Sequence, residues 1–91
     1  MRGMCRNIRT LFNFEPPATD EEVRDAALQF VRKIAGTARP ARANQAAFEQ
    51  AVEAVAAASR RLLDSMATAA PPRDREVERA KARDRAQRRF A

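Results

Sequence analysis

Asn44–Met66, NQAAFEQAVEAVAAASRRLLDSM, is the stretch that decides the fold. Phe48, Ala51, Val52, Val55, Ser59, Leu62, Leu63 and Met66 recur at three- and four-residue spacing, so they share one face of a helix. Glu49, Glu53, Arg60, Arg61 and Asp64 fall mostly off that face. Alanine fills much of the remainder and loses no side-chain entropy in a helix. Asn44 is the expected N-cap, since its side-chain oxygen can accept an orphan backbone N–H. The stripe reads as a core face rather than a cofactor groove. Ala51, Ala54, Ala56, Ala57 and Ala58 would let a neighbouring backbone approach closely.

Upstream, the sequence predicts a helix over residues 19–35. Thr19 and Glu22 fit the capping-box pattern, and Asp20, Glu21 and Glu22 place acids in the first turn. Val23, Ala26, Ala27, Phe30, Val31 and Ile34 form the apolar stripe, and Gly36 is the expected residue just past the end. Residues 37–43, TARPARA, connect the two helices and are long enough for an antiparallel hairpin. They are longer than the tight turn of a DNA-binding helix-turn-helix.

Outside the hairpin lie two less regular segments. Residues 4–18 form an arm, extended or a short helix, that carries Ile8, Leu11, Phe12 and Phe14 to the open side of the hairpin and stops at Pro16-Pro17. Residues 71–91 read as a charged helix after TAAPP, docked at most through Val77, with Glu78–Lys81 and Asp84–Arg88 as supporting pairs. The expected fold is all-α: a small helical domain over residues 1–70, with helices 19–35 and 44–67, and a basic helical tail over 71–91.

Composition narrows the function classes. The chain has 91 residues, so it is one small domain with tails. It carries no histidine and one cysteine, which excludes zinc-finger sites and histidine-based triads. Its only glycines are Gly3 and Gly36, so there is no phosphate-binding glycine loop. No apolar run is long enough to span a membrane and no secretory leader is evident, so the expectation is a cytoplasmic protein. The formal charge is +6, and residues 73–91 hold eight basic against four acidic side chains, so the excess sits mainly in the tail. Such a balance suits anionic partners.

Few side chains point to chemistry. Cys5 is the one strong nucleophile, with Arg6 and Arg9 close enough in sequence to favour its thiolate. With no base beside it, an incidental cysteine outranks a reactive one. Arg39, Arg42, Arg75, Arg79 and Arg83 are the candidate nucleic-acid contacts, through phosphates without base reading. Acids interrupt the basic run, so a solvated face outranks a binding surface. The carboxylate pairs Glu21–Asp25 and Glu49–Glu53 lack histidine partners, and no metal site or cofactor is expected.

Four stretches together carry a family resemblance: CRNIRTLFNFEPPAT (5–19), ALQFVRKI (27–34), RANQAAF (42–48) and PPRDREVERAKAR (71–83). From Met4 onward the chain resembles the bacterial family called domain of unknown function 2277. The resemblance implies a small, stand-alone, cytoplasmic protein and no particular activity. It implies a start at the methionine corresponding to Met4, which would leave Cys5 next to, or at, the N-terminus. Three functional readings follow in order: a non-enzymatic interaction module that self-associates or meets an acidic surface; a nucleic-acid accessory protein using the tail with Arg39 and Arg42; and a thiol-dependent protein using Cys5. The partners these imply are a second copy, another protein or nucleic acid, and no membrane.

Overall fold

The computed structural model describes residues 8–90. The chain is mostly helical: β1 (Phe14–Glu15), α1 (Asp20–Ala35), α2 (Gln45–Ser65), β2 (Arg73–Asp74) and α3 (Arg75–Phe90), with a 3₁₀ turn at Arg42–Asn44 before α2.

Helix α1 begins and ends where its local chemistry dictates. The Glu22 amide donates to Thr19 Oγ1 at 3.1 Å, and the Thr19 amide donates to Glu22 Oε1 at 2.9 Å, completing the capping box. At the other end Gly36 adopts φ 74°, and its N–H donates to the Arg32 carbonyl at 2.9 Å. A Cβ at Gly36 would meet nothing within 4 Å, so its substitution is penalised by backbone conformation alone. Gly36→Ala should therefore cost about 1 kcal/mol of stability, read by urea denaturation. An unchanged midpoint would show that the left-handed turn is not needed.

Helix α2 begins at the expected place by a different device. The Asn44 side chain makes no capping bond; the 3₁₀ turn leads the chain in, with the Asn44 amide donating to the Ala41 carbonyl at 2.8 Å. The helix stops at Ser65 rather than reaching residue 67.

The two long helices pack side by side and antiparallel. Arg24 of α1 pairs with Glu53 of α2. Arg60, near the end of α2, donates to the Ala18 carbonyl at 3.3 Å and to Asp20 at 3.4 Å, at the start of α1. Ala27, Val31 and Val52 form the buried cluster between them, flanked by Leu28, Phe48, Ala51, Val55 and Ala56. Val23 is buried as well.

The ends of the expected stripes are not covered. Ile34 is 71% exposed, and Phe30, Leu62 and Met66 are also exposed. The pairings above set the register: Met66 falls beyond the start of α1, so α2 overhangs α1 at its C-terminal end, while Ile34 falls level with the start of α2.

Over residues 8–18 the arm is extended, not helical. Ile8, Leu11, Phe12 and Phe14 are each half-buried. The arm reaches the linker after α2 through a short parallel bridge, Phe14 opposite Arg73 and Glu15 opposite Asp74. Asn13 makes the junction. Its backbone takes φ 64°, a conformation asparagine tolerates better than most residues. Its carbonyl accepts from the Arg73 amide at 2.8 Å, and its Nδ2 donates to the carbonyls of Pro71 (3.2 Å) and Ala70 (3.4 Å).

Candidate functional site

The arm and α3 enclose an open cleft of about 480 Å³. Its position follows from how α3 is started and held. Asp74 Oδ1 accepts from the amides of Glu76 (2.8 Å) and Val77 (3.0 Å), which caps the helix. The next residue, Arg75, is a clamp. Its Nη1 and Nη2 donate to the two carboxylate oxygens of Glu22 at 2.7 and 2.8 Å, and its Nε donates to the Pro16 carbonyl at 2.7 Å. One guanidinium thus ties α3 to both the first turn of α1 and the arm. Val77, the expected docking residue, is 49% exposed and is not the anchor.

This forked, charge-assisted geometry favours the ionised carboxylate. The hydrogen bonds from Arg75 are the main cause, with the Thr19 amide second, and together they hold the Glu22 carboxyl down at about 2 against an ordinary 4.5. Glu22 in turn raises the Arg75 guanidinium above its usual value. A carboxyl whose folded value is depressed stabilises the fold above its unfolded value and stops doing so as pH falls through the folded one. The clamp should therefore be intact above about pH 4.5 and lose its contribution toward pH 2. A ¹³C carboxyl titration checks this: Glu22 should titrate near 2, well below the ordinary glutamate value of 4.5. Titration at the ordinary value would remove the clamp.

Around the clamp the cleft gathers cations. Arg9 comes from the arm, Arg73 from β2, and Arg79, Arg83 and Arg85 from α3. Glu22 and Glu78 are its acids. The cations differ in how far they are engaged. Arg75 is held by Glu22, and Arg79 pairs with Glu76 at 2.8 Å. Among the described residues Arg9, Arg73, Arg83 and Arg85 have no salt bridge. Phe14 supports part of this array, its ring centroid lying 5.0 Å from the Arg73 guanidinium carbon and 5.9 Å from that of Arg75. The aromatic ring therefore serves to position arginines.

The residues singled out from sequence divide into two groups. Arg75, Arg79 and Arg83 meet in the cleft. Arg39 and Arg42 lie at the opposite end of α1, about 24 Å away along a 16-residue helix. The five do not form one surface. Arg9, Arg73, Arg85 and Phe14 enter the cleft without having been foreseen. Cys5, the thiol candidate, lies outside the described residues. Among the described residues no group of three metal-ligating side chains occurs, and no helix is long and apolar enough to cross a membrane. A smaller recess of about 230 Å³ lies on the hairpin, where the core side chains Leu28, Phe48 and Val52 meet the polar side chains Arg24, Arg32, Gln45 and Glu49.

The model of a family described as uncharacterized conserved protein, domain of unknown function 2277, matches residues 4–81, and the chain belongs to that family. The matched span takes in Arg9, Phe14, Glu22, Arg73, Arg75 and Arg79. No curated protein and no solved structure matches the chain.

Proposed function

We propose that this family member is a non-enzymatic interaction module whose working surface is the cleft between the arm and α3, and that it holds the phosphate groups of a nucleic acid. One observation carries the reading: Arg9, Arg73, Arg83 and Arg85 converge from three separate elements with no ion-pair partner among the described residues. Guanidinium groups gathered in this way match phosphate oxygens in geometry and charge. Phe14 is engaged by two arginines, so binding proceeds through the backbone rather than by stacking of bases. The absence of histidine from the whole chain supports binding over acid–base chemistry. In this reading residues 1–70 are the body, residues 71–91 present the cations, and the protein works in the cytoplasm. Arg39 and Arg42 act, if at all, as a separate contact at the far end.

Fluorescence anisotropy with a labelled single-stranded oligonucleotide tests the proposal. Four phosphate contacts give a log–log salt slope of about −3 for a single strand. Arg83→Glu with Arg85→Glu should weaken binding at low salt and reduce the slope to about −1.4. No binding at low salt, or binding indifferent to these substitutions, would overturn it. Retention on polyglutamate but not on nucleic acid would transfer the cleft to an acidic protein partner.

A further inference from the structure

The smaller recess lies toward the loop end of the hairpin and shares no residue with the cleft. Leu28, Phe48 and Val52 give it an apolar lining, and Pro40 of the interhelical loop joins them. Three charged side chains border it: Arg24 and Arg32 from α1 and Glu49 from α2. Arg24 is taken up by Glu53. Among the described residues neither Arg32 nor Glu49 has a salt bridge, although they line one recess from facing helices. Arg32 is unusual in a second way: its Nε is buried and has no hydrogen-bond partner among the described residues. A buried N–H without an acceptor is costly, and native structures leave few of them. The antiparallel register that pairs Arg24 with Glu53 sets Arg32 opposite Gln45, at the start of α2, and Leu28 opposite Glu49. That first turn of α2 has no side-chain cap, so its end of the helix dipole adds positive potential beside Arg32. The recess is thus positive toward the loop and negative one helical turn further along α2, over an apolar lining.

We infer that this recess binds a free α-amino acid with an apolar side chain, about the size of phenylalanine. Three observations select that ligand. First, the unpartnered Nε of Arg32 calls for an acceptor, and a carboxylate takes Nε and one Nη together as a fork. With no ion pair among the described residues to hold it, the guanidinium can turn that edge toward the ligand. Second, a plain carboxylic acid would meet Glu49 with like charge. An ammonium group beside the carboxylate answers Glu49, so the ligand carries both charges and no net charge. The recess matches it, because Arg24 is already neutralised by Glu53 and one cation and one anion are left. Third, the recess holds about 230 Å³. A cavity of about 150 Å³ accepts benzene, so a phenyl-sized body fits here with room for the two charged groups. A residue inside a peptide lacks one or both of these charges, which leaves the free amino acid.

The test uses the full chain labelled with ¹⁵N. L-phenylalanine should shift the amide signals around Leu28, Phe48 and Val52 saturably and leave those of α3 in place. 3-Phenylpropanoate, which lacks the ammonium, and phenylalaninamide, which lacks the carboxylate, should each bind about tenfold more weakly, or worse. Arg32→Gln should weaken phenylalanine by a similar factor. Glu49→Gln should bring 3-phenylpropanoate up to the affinity of phenylalanine, since it removes the repulsion that only the ammonium answers. The three compounds decide the matter on the wild-type chain even where Arg32→Gln fails to fold. No saturable shift at millimolar phenylalanine, or equal binding of all three compounds, would overturn the inference. Amino-acid and oligonucleotide binding are read at separate residues, so the failure of either leaves the other standing.

Discussion

Val52→Asp should abolish the cooperative unfolding transition. Val52 is 3% exposed and is the one residue of α2 in the buried cluster, with Ala27 and Val31 of α1 against it. Among the described residues no buried polar or charged side chain is present to receive a carboxylate. An aspartate there must either stay ionised without a partner or take up a proton, and each costs about 4 kcal/mol or more. A folded chain of this size has only about 5 kcal/mol in total. The expected far-ultraviolet spectrum is that of a largely unfolded chain at 25 °C. Val52→Ala, which only opens a cavity, should retain a transition lowered by about 2 kcal/mol. Equal behaviour of the two would mean that the cluster is not closed to water.

The second large effect concerns the clamp. Glu22→Arg should release α3 and disassemble the cleft while leaving the hairpin folded. The substitution sets two guanidinium groups against each other where one salt bridge stood and removes the acceptor for both Arg75 nitrogens. α3 keeps little else: Val77 is half-exposed, and what remains is the hydrogen bond from Arg75 to the Pro16 carbonyl and the two-residue bridge to the arm. Backbone amides of α3 should lose their protection from hydrogen exchange, while those around Ala27 and Val52 keep theirs. The compensating exchange, Glu22→Arg combined with Arg75→Glu, should restore part of the protection, since it recreates the pair with its sign reversed. It should not restore all of it, because Arg75 also donates to the Pro16 carbonyl and glutamate cannot. If the single variant protects α3 as well as the wild type does, α3 is anchored elsewhere.

Much of the hairpin was legible in sequence. α1 announced both of its ends, because Thr19, Glu22 and Gly36 act on residues three or four positions away and leave a local trace. Periodicity identified the inner faces of α1 and α2, but it reports direction and not overlap. Hence Ile34 and Met66 looked like core residues although both are exposed, Met66 projecting past the start of α1 and Ile34 standing level with the very start of α2. Asn44 marked the right position for the start of α2 and did not do so by side-chain capping. The cleft was readable only in its α3 portion, where Arg75, Arg79 and Arg83 stand at helical spacing. Asp74, following two prolines, was an available cap signal for the start of that helix. Arg9 and Phe14 left no such trace, because they meet α3 through a bridge between distant segments, and no spacing rule links Phe14 to Arg73.

That bridge has a kinetic meaning. The hydrogen bond from Arg75 to Pro16 joins residues 59 positions apart, and the one from Arg75 to Glu22 joins residues 53 apart. The hairpin lies inside this interval and closes over a short loop. Contacts of long sequence separation carry the greater closure entropy and form later. The order of assembly is then hairpin first and cleft last, and loss of structure runs in reverse. The arginine array exists only in chains that have completed the final step, so a phosphate-bearing partner would select those chains and draw the equilibrium toward closure by mass action.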